Sequence, residues 1–227
     1  MTLNTLWVGP KPSRLVQRCI NSLPNSGMDV VLYTYTPAAL QPLFPTITVR
    51  DASTVLPQSH VFTYNVGPGK GSYAAFANLF RYVLLADAGG WWVDTDVYWL
   101  RPYTNTAPYV LVAEPGKTKL LHNGILCVPP KSALMATMVE RAVATDTRKM
   151  AWGTTGSRLL TRTINECYQP LQEYVVDAAT FCPIHWADVC DRAQYPARIA
   201  LAPHTVAVHL FNEMWRRNGL DPDQDYP

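Results

Sequence analysis

The apolar positions of this chain change period from segment to segment, and the changes set out its elements. Residues 2–8 carry Leu3, Leu6, Trp7 and Val8 and stop at Gly9-Pro10-Lys11-Pro12, which predicts a first strand. Ser13 then stands in capping position ahead of Leu15, Val16, Cys19, Ile20 and Leu23, whose spacing of three and four residues is helical. After Pro24-Asn25-Ser26-Gly27 the run over 28–35 is almost continuously apolar, as in strands buried on both faces of a parallel sheet. Residues 47–50 predict a third short strand. The stretch 60–71 reads as a loop ending in Gly67-Pro68-Gly69-Lys70-Gly71, a turn or lid whose lysine could meet a phosphate although the spacing is that of no phosphate-binding motif. Residues 72–88 predict a long helix with Tyr73, Phe76, Ala77, Phe80, Val83, Leu84 and Ala86, on which Asn78 and Arg81 share a face.

Gly89-Gly90 ends that helix and admits the strand Trp91-Trp92-Val93, which runs into Asp94-Thr95-Asp96 and on through Val97-Tyr98-Trp99-Leu100. Read as one extended segment, it places the two carboxylates on the same side. Such a pair repels unless a cation or proton lies between its members. Hard oxygen ligands of this kind suit Mg²⁺ or Mn²⁺, whereas a turn or capping pair after a buried strand is the structural alternative. Further strands are expected at 109–113, 124–128, 173–176 and 206–212, and helices at 132–144 and 157–167, with a turn at Trp152-Gly153-Thr154-Thr155-Gly156. Strands and helices alternate throughout, so the fold class expected is α/β: a mostly parallel, Rossmann-like sheet flanked by helices on both faces. In such sheets ligands bind at the carboxyl ends of strands, and Asp94 and Asp96 fall at such an end.

Composition narrows the picture without changing it. At 227 residues a single domain is expected, with 180–227 a less regular tail. A net charge of +2 is too small to argue for a broad nucleic-acid footprint. No secretory pattern opens the chain and no long apolar run occurs, so a soluble, cytoplasmic protein without a transmembrane segment is expected. Five cysteines without CxxC spacing fit reduced thiols; Cys182-Pro-Ile-His185 with Cys190 could alternatively form part of a zinc site, lacking an obvious fourth ligand. The 7 tryptophans suggest stacking on a ring-shaped ligand. No signal sets an oligomeric state. Arg81, amid apolar neighbours, needs either a carboxylate partner, Asp94 or Asp87, or an anionic or hydroxylated ligand.

The run Asn78-Leu79-Phe80-Arg81-Tyr82-Val83-Leu84-Leu85, continued through Gly89-Gly90-Trp91-Trp92-Val93-Asp94-Thr95-Asp96, resembles the glycosyltransferases whose sugar-binding region contains a DXD motif. These include α-mannosyl- and α-galactosyltransferases and are related to the clostridial glucosylating toxins. The resemblance continues in patches. Trp7 followed by Gly9 resembles the family's base-stacking tryptophan, although a strand-end core residue would read the same way. His122-Asn123-Gly124-Ile125-Leu126 resembles the segment near sugar and acceptor, Thr155-Gly156 a Thr-Gly-Pro turn with Ser157 in place of proline, and His209-Leu210-Phe211-Asn212 the segment that closes over metal and diphosphate. Asn78 departs from the family, which carries an acid there, and this puts the usual donor sugar in doubt more than the reaction.

What the resemblance implies is a GT-A fold, a UDP-sugar donor with Mn²⁺ or Mg²⁺, and transfer of a hexose or N-acetylhexosamine with retention of anomeric configuration. Asp94, Asp96, His209 and Asn212 would serve the metal. Trp7, Gly9, Asn78, Arg81, Asp94, Thr95, Asn123, Thr155 and Gly156 would line the donor site, with Asp94, Asp96, Arg81 and Asn78 central to catalysis. At this length the chain resembles a bare catalytic domain whose tail closes the site. The acceptor implied is a saccharide or glycolipid, or a hydroxylated DNA base. Two other classes fit the same residues: a non-catalytic sugar-nucleotide-binding protein, and a metal-dependent nucleotidyl- or phosphotransferase.

Overall fold

The computed structural model describes residues 1–147, 149–189 and 201–224. In chain order the elements are β1 (Thr2–Leu6), α1 (Arg14–Ser22), β2 (Asp29–Thr34), α2 (Pro37–Leu40), β3 (Thr48–Asp51), α3 (Ala74–Ala88), β4 (Gly90–Val93), β5 (Val97–Trp99), β6 (Val110–Ala113), β7 (Leu121–Val128), α4 (Ala133–Val143), α5 (Ser157–Cys167), β8 (Val175–Val176), α6 (Ala178–Phe181), β9 (Ala207–His209) and α7 (Asn212–Arg217), with short 3₁₀ turns between. Ser13 caps α1 as its position predicts, its side chain accepting from Val16 N–H, and Ser132 caps α4 in the same way.

Seven strands form one sheet in the order β3-β2-β1-β4-β7-β6-β8, and β5 and β9 form a separate antiparallel pair. β1 pairs in parallel with β2 on one side and β4 on the other, β2 with β3 and β6 with β8; β7 alone runs against its neighbours β4 and β6. The expectation of a mostly parallel sheet therefore holds, and the switch point falls between β1 and β4, where a ligand crevice is expected to open.

Adjacent residues of β4 feed opposite faces of the sheet, as a period of two demands. Trp91 packs into a core with Leu15, Val16, Cys19 and Ile20 of α1, Trp99, Phe181 and Trp215. Trp92 packs into the core of the other face with Phe76 and Phe80 of α3, Met135 and Met138 of α4, and Leu160 of α5. Four tryptophans, 91, 92, 99 and 215, are thus core residues, which accounts for much of the aromatic content without a ligand. Truncating one of these large buried rings, or Phe80, to alanine costs about 3–5 kcal/mol.

Three expectations are corrected. The segment 89–100 is two strands, not one: a turn closed by Val97 N–H donating to Asp94 O at 3.2 Å separates β4 from β5. The polar His122-Asn123-Gly124 lies inside β7, not in the connection before it, and is buried. The strand expected over 206–212 ends at His209, because Phe211 adopts φ 48° and begins α7. No helix among the described residues is long and apolar enough to cross a membrane.

Candidate functional site

The carboxyl ends of β1 and β4, the start of β7, the middle of α3 and the β9–α7 junction meet at one place. Asp94 follows β4 directly, its N–H donating to Gly124 O at 2.8 Å, so the turn after β4 is pinned to β7. Its Oδ1 accepts from Arg81 Nη2 at 2.5 Å and from Trp92 Nε1 at 2.8 Å. Those two donors account for Oδ1, while Oδ2 packs toward Gly124, whose replacement by a Cβ-bearing residue would put that carbon 2.5 Å from Oδ2 and 2.7 Å from the His122 ring. Glycine at 124 is therefore a space requirement of the site.

Arg81 is 1% exposed. Of the two ion pairs the sequence allows it makes the one to Asp94; Asp87 pairs with Lys131 instead. Its other terminal nitrogen donates to Asn123 O, and its guanidinium lies 4.8 Å from the Trp92 ring centroid. Arg81 Nε has no hydrogen-bond partner among the described residues. Asn78, one turn earlier on α3, donates to Thr155 Oγ1 at 3.3 Å and accepts from Asn123 Nδ2 at 2.8 Å. The Tyr82 hydroxyl lies 2.9 Å from Asn123 Oδ1 and 2.6 Å from the Thr155 carbonyl, and burial pushes that phenol up out of the ordinary titration range. Tyr82 is a site residue that sequence reasoning missed. The signal was present, since 78, 81 and 82 stand at i, i+3 and i+4 of one helix face.

Asp96 is held from the tail. Its Oδ1 accepts from His209 Nε2 at 3.0 Å and its Oδ2 from the Asn212 backbone N–H at 2.7 Å, while Leu210 N–H donates to Asp96 O at 2.9 Å. The left-handed backbone of Phe211 turns Asn212 toward the carboxylate, and the Phe211 ring stacks on His209 with centroids 3.9 Å apart. Behind His209 lies His122, Nε2 to Nδ1 at 2.7 Å, and Gly124 N–H donates to His122 Nδ1 at 3.1 Å.

The titrations follow from the geometry. Burial would raise the Asp96 carboxyl, but His209 and the Asn212 N–H bring it below the ordinary carboxylate range. Burial would lower His209, and Asp96 beside it raises it well above an ordinary imidazole. His122, buried and facing the charges of His209 and Arg81, is held well below that value and stays neutral.

Asp94, Asp96 and His209 each bring a donor atom within 4.8 Å of the other two. Two carboxylates and an imidazole suit a divalent cation such as Mn²⁺ or Mg²⁺. Cys182 joins His122 and His209 in an adjoining buried group, whereas Cys190, the other thiol of the expected zinc set, lies outside the described residues.

Two cavities flank the acids. One of about 350 Å³ is walled by Leu6, Trp7, Val8, Lys70, Tyr73, Arg81, Thr95, Asn212 and Arg216. The other, about 470 Å³, is walled by Glu114, His122, Asn123, Trp152, Gly156, Arg158, Trp186 and His209; Asn78, Asp94, Asp96 and Glu213 line both. Trp7 is fixed by its indole N–H donating to Pro10 O at 2.6 Å. Gly9, at φ 131°, stands just outside the first cavity beside Tyr73. Glu114, Trp152 and Trp186 were not expected here, since residues before a Pro-Gly turn, in a glycine turn or in an irregular tail carry no periodic signal.

The sequence matches no family model and no curated protein. Solved structures do resemble the fold. A PaToxG glycosyltransferase superposes with a TM-score of 0.53 at 11% identity, covering 99% of this chain and 79% of that one. The apo-form glycosyltransferase GlyE of Streptococcus pneumoniae TIGR4 gives 0.48 at 8% identity over 97% and 60%, and the galactosyltransferase LgtC, in complex with donor and acceptor sugar analogs, gives 0.44 at 10% over 93% and 87%. At these identities the likeness concerns the fold alone, and the PaToxG superposition carries it: this chain has the GT-A fold.

Proposed function

We propose that the protein is a metal-dependent glycosyltransferase that moves a hexose or N-acetylhexosamine from a UDP-sugar to an acceptor hydroxyl, with retention of anomeric configuration. The observation that carries the reading is the convergence of Asp94 and Asp96, which line both cavities, with His209 of the larger one. Asp94, Asp96 and His209 would hold Mn²⁺ or Mg²⁺, and a bound cation supplies positive charge to a departing diphosphate. The chain's own residues do the rest.

Trp7, Val8 and Tyr73 offer the nucleotide base apolar walls, and Lys70 stands in the same cavity, where a diphosphate would meet it beside the paired Arg216 and Glu213. Arg81 keeps Asp94 turned, because its guanidinium bridges Asp94 Oδ1 and Asn123 O. The amides of Asn78 and Asn123, braced by Thr155 behind them, present donors and acceptors at the cavity boundary, where a hexose would lie. In the reaction the bond from the anomeric carbon to the diphosphate oxygen breaks, a bond from that carbon to the acceptor oxygen forms on the same face, and the acceptor proton passes to the diphosphate. His209, Asn212 and Arg216 all follow residue 200, which supports a single domain whose tail closes the site. The acceptor is a saccharide, a glycolipid or a hydroxylated DNA base.

Incubation with UDP-glucose, UDP-galactose and the two UDP-N-acetylhexosamines plus Mn²⁺, read as UDP release, tests the donor. Release that is lost with EDTA supports the reading, and its absence for every donor, with and without acceptor, counts against it. Mass spectrometry separates the other enzymatic class, since nucleotidyl transfer would add a nucleotide in place of a hexose.

A further inference from the structure

The larger cavity carries chemistry that the donor and metal do not use. Glu114 follows β6 at the same end of the sheet as Asp94, tied by its N–H donating to Leu120 O at 2.8 Å. Its carboxyl faces the cavity with Ser157 as a hydrogen-bond partner, and burial raises its pKa above that of an ordinary glutamate, against the nearby His209, His185 and Arg158. Trp186 stands in the same wall and is 45% exposed, a large apolar ring left open to solvent and packed on His185 at 5.0 Å. Trp152 differs: Tyr64 lies 5.0 Å from its centroid and the Arg217 guanidinium 4.0 Å, so its surface is already engaged within the fold.

An open indole beside a carboxyl is the pairing that a pyranose requires, one face of C–H groups to lie on the ring and hydroxyls to meet the acid. The charge of the wall selects further. Asp94 is paired with Arg81, Asp96 with His209, and Glu213 with Arg216 and Arg217, so Glu114 and Arg158 are the charged groups left to meet a ligand here. A phosphodiester backbone needs several cations and would meet one, Arg158.

Resting on the glycosyl-transfer reading, we propose that this cavity is the acceptor subsite and takes a neutral hexopyranoside, its ring laid against Trp186 and a hydroxyl held by Glu114. A hydroxylated base in a DNA strand is thereby disfavoured. Glu114 acts as a positioning and specificity group for the acceptor.

Saturation-transfer NMR on the full chain tests this with methyl glucosides, galactosides and mannosides of both anomers, and with a single-stranded DNA hexamer as the comparison arm. At least one glycoside should show transfer at millimolar concentration, with or without UDP and Mn²⁺. Trp186→Ala and Glu114→Gln should each weaken it on the order of tenfold, and Trp186→Phe should retain it. UDP affinity, measured separately by calorimetry, should stay the same in all three variants, which also shows that they fold. The proposal is overturned if no glycoside binds, if binding survives both weakening substitutions, or if the hexamer displaces the glycoside. Loss of UDP binding by the wild-type chain with glycoside binding intact would count against the donor reading alone.

Discussion

Arg81 Nη2 lies 2.5 Å from Asp94 Oδ1, joining the middle of α3 to the turn after β4 through a guanidinium with 2% of its side chain exposed. The pair is half open, since the Asp94 side chain is 31% exposed, and solvent screening lowers its worth below that of a fully buried pair. The contact therefore matters more for orientation than for net stability.

Substituting Arg81 tests that division. Arg81→Met should destabilise the fold by about 2–4 kcal/mol in urea melts, below the upper range for breaking a fully buried pair. Arg81→Lys keeps the charge but cannot bridge Asp94 and Asn123 O, so UDP release should fall on the order of a hundredfold while more of the stability returns. Full activity in the lysine variant would show that charge alone suffices.

Gly124→Ala probes the space around the second Asp94 oxygen. The new methyl would lie 2.5 Å from Oδ2 and 2.7 Å from His122. We expect a loss of about 1–3 kcal/mol in stability and a weaker Mn²⁺ affinity by calorimetry, with the helical circular dichroism unchanged. Unaltered Mn²⁺ binding would place the cation elsewhere.

The Asp96–His209 pair predicts a particular pH dependence in metal-free buffer. His209 is raised in the fold, so its contribution is fully present below its unfolded value of about 6.5 and is lost as pH rises through the higher folded value. Asp96 is lowered, so its contribution is present above about 3.9 and is lost as pH falls through the lower folded value. The stability advantage of the wild type over His209→Gln should therefore be greatest between about pH 4 and 6.5 and should shrink toward pH 9. An advantage that stays flat across that range would contradict the pairing.

Much of this was legible in the chain itself, for identifiable reasons. Ser13 and Ser132 mark helix starts because a hydroxyl there has one orphan N–H to satisfy, and both caps form. Asp94, Asp96, Arg81 and Asn78 stand out because charged or amide groups amid apolar runs need partners, and all four meet at one site. What periodicity could not supply was long-range: that His122 backs His209 across 87 residues, that Tyr82 reaches Thr155, and that Asp94 and Asp96 converge through a turn and not along a strand. Tryptophan count could not say which indoles face a cavity, because an indole serves a two-sided core as well as it serves a ligand.

In the proposed function Asp94, Asp96 and His209 join a divalent cation to a nucleotide diphosphate. Calorimetric titration of UDP into the wild-type chain and into Asp96→Asn, each in Mn²⁺ and in EDTA, measures this directly. Mn²⁺ should tighten UDP binding to the wild type at least tenfold and do little for Asp96→Asn, a coupling of about 1.4 kcal/mol or more. Equal UDP affinity with and without Mn²⁺ in the wild type, or the same Mn²⁺ enhancement in the variant, would contradict it.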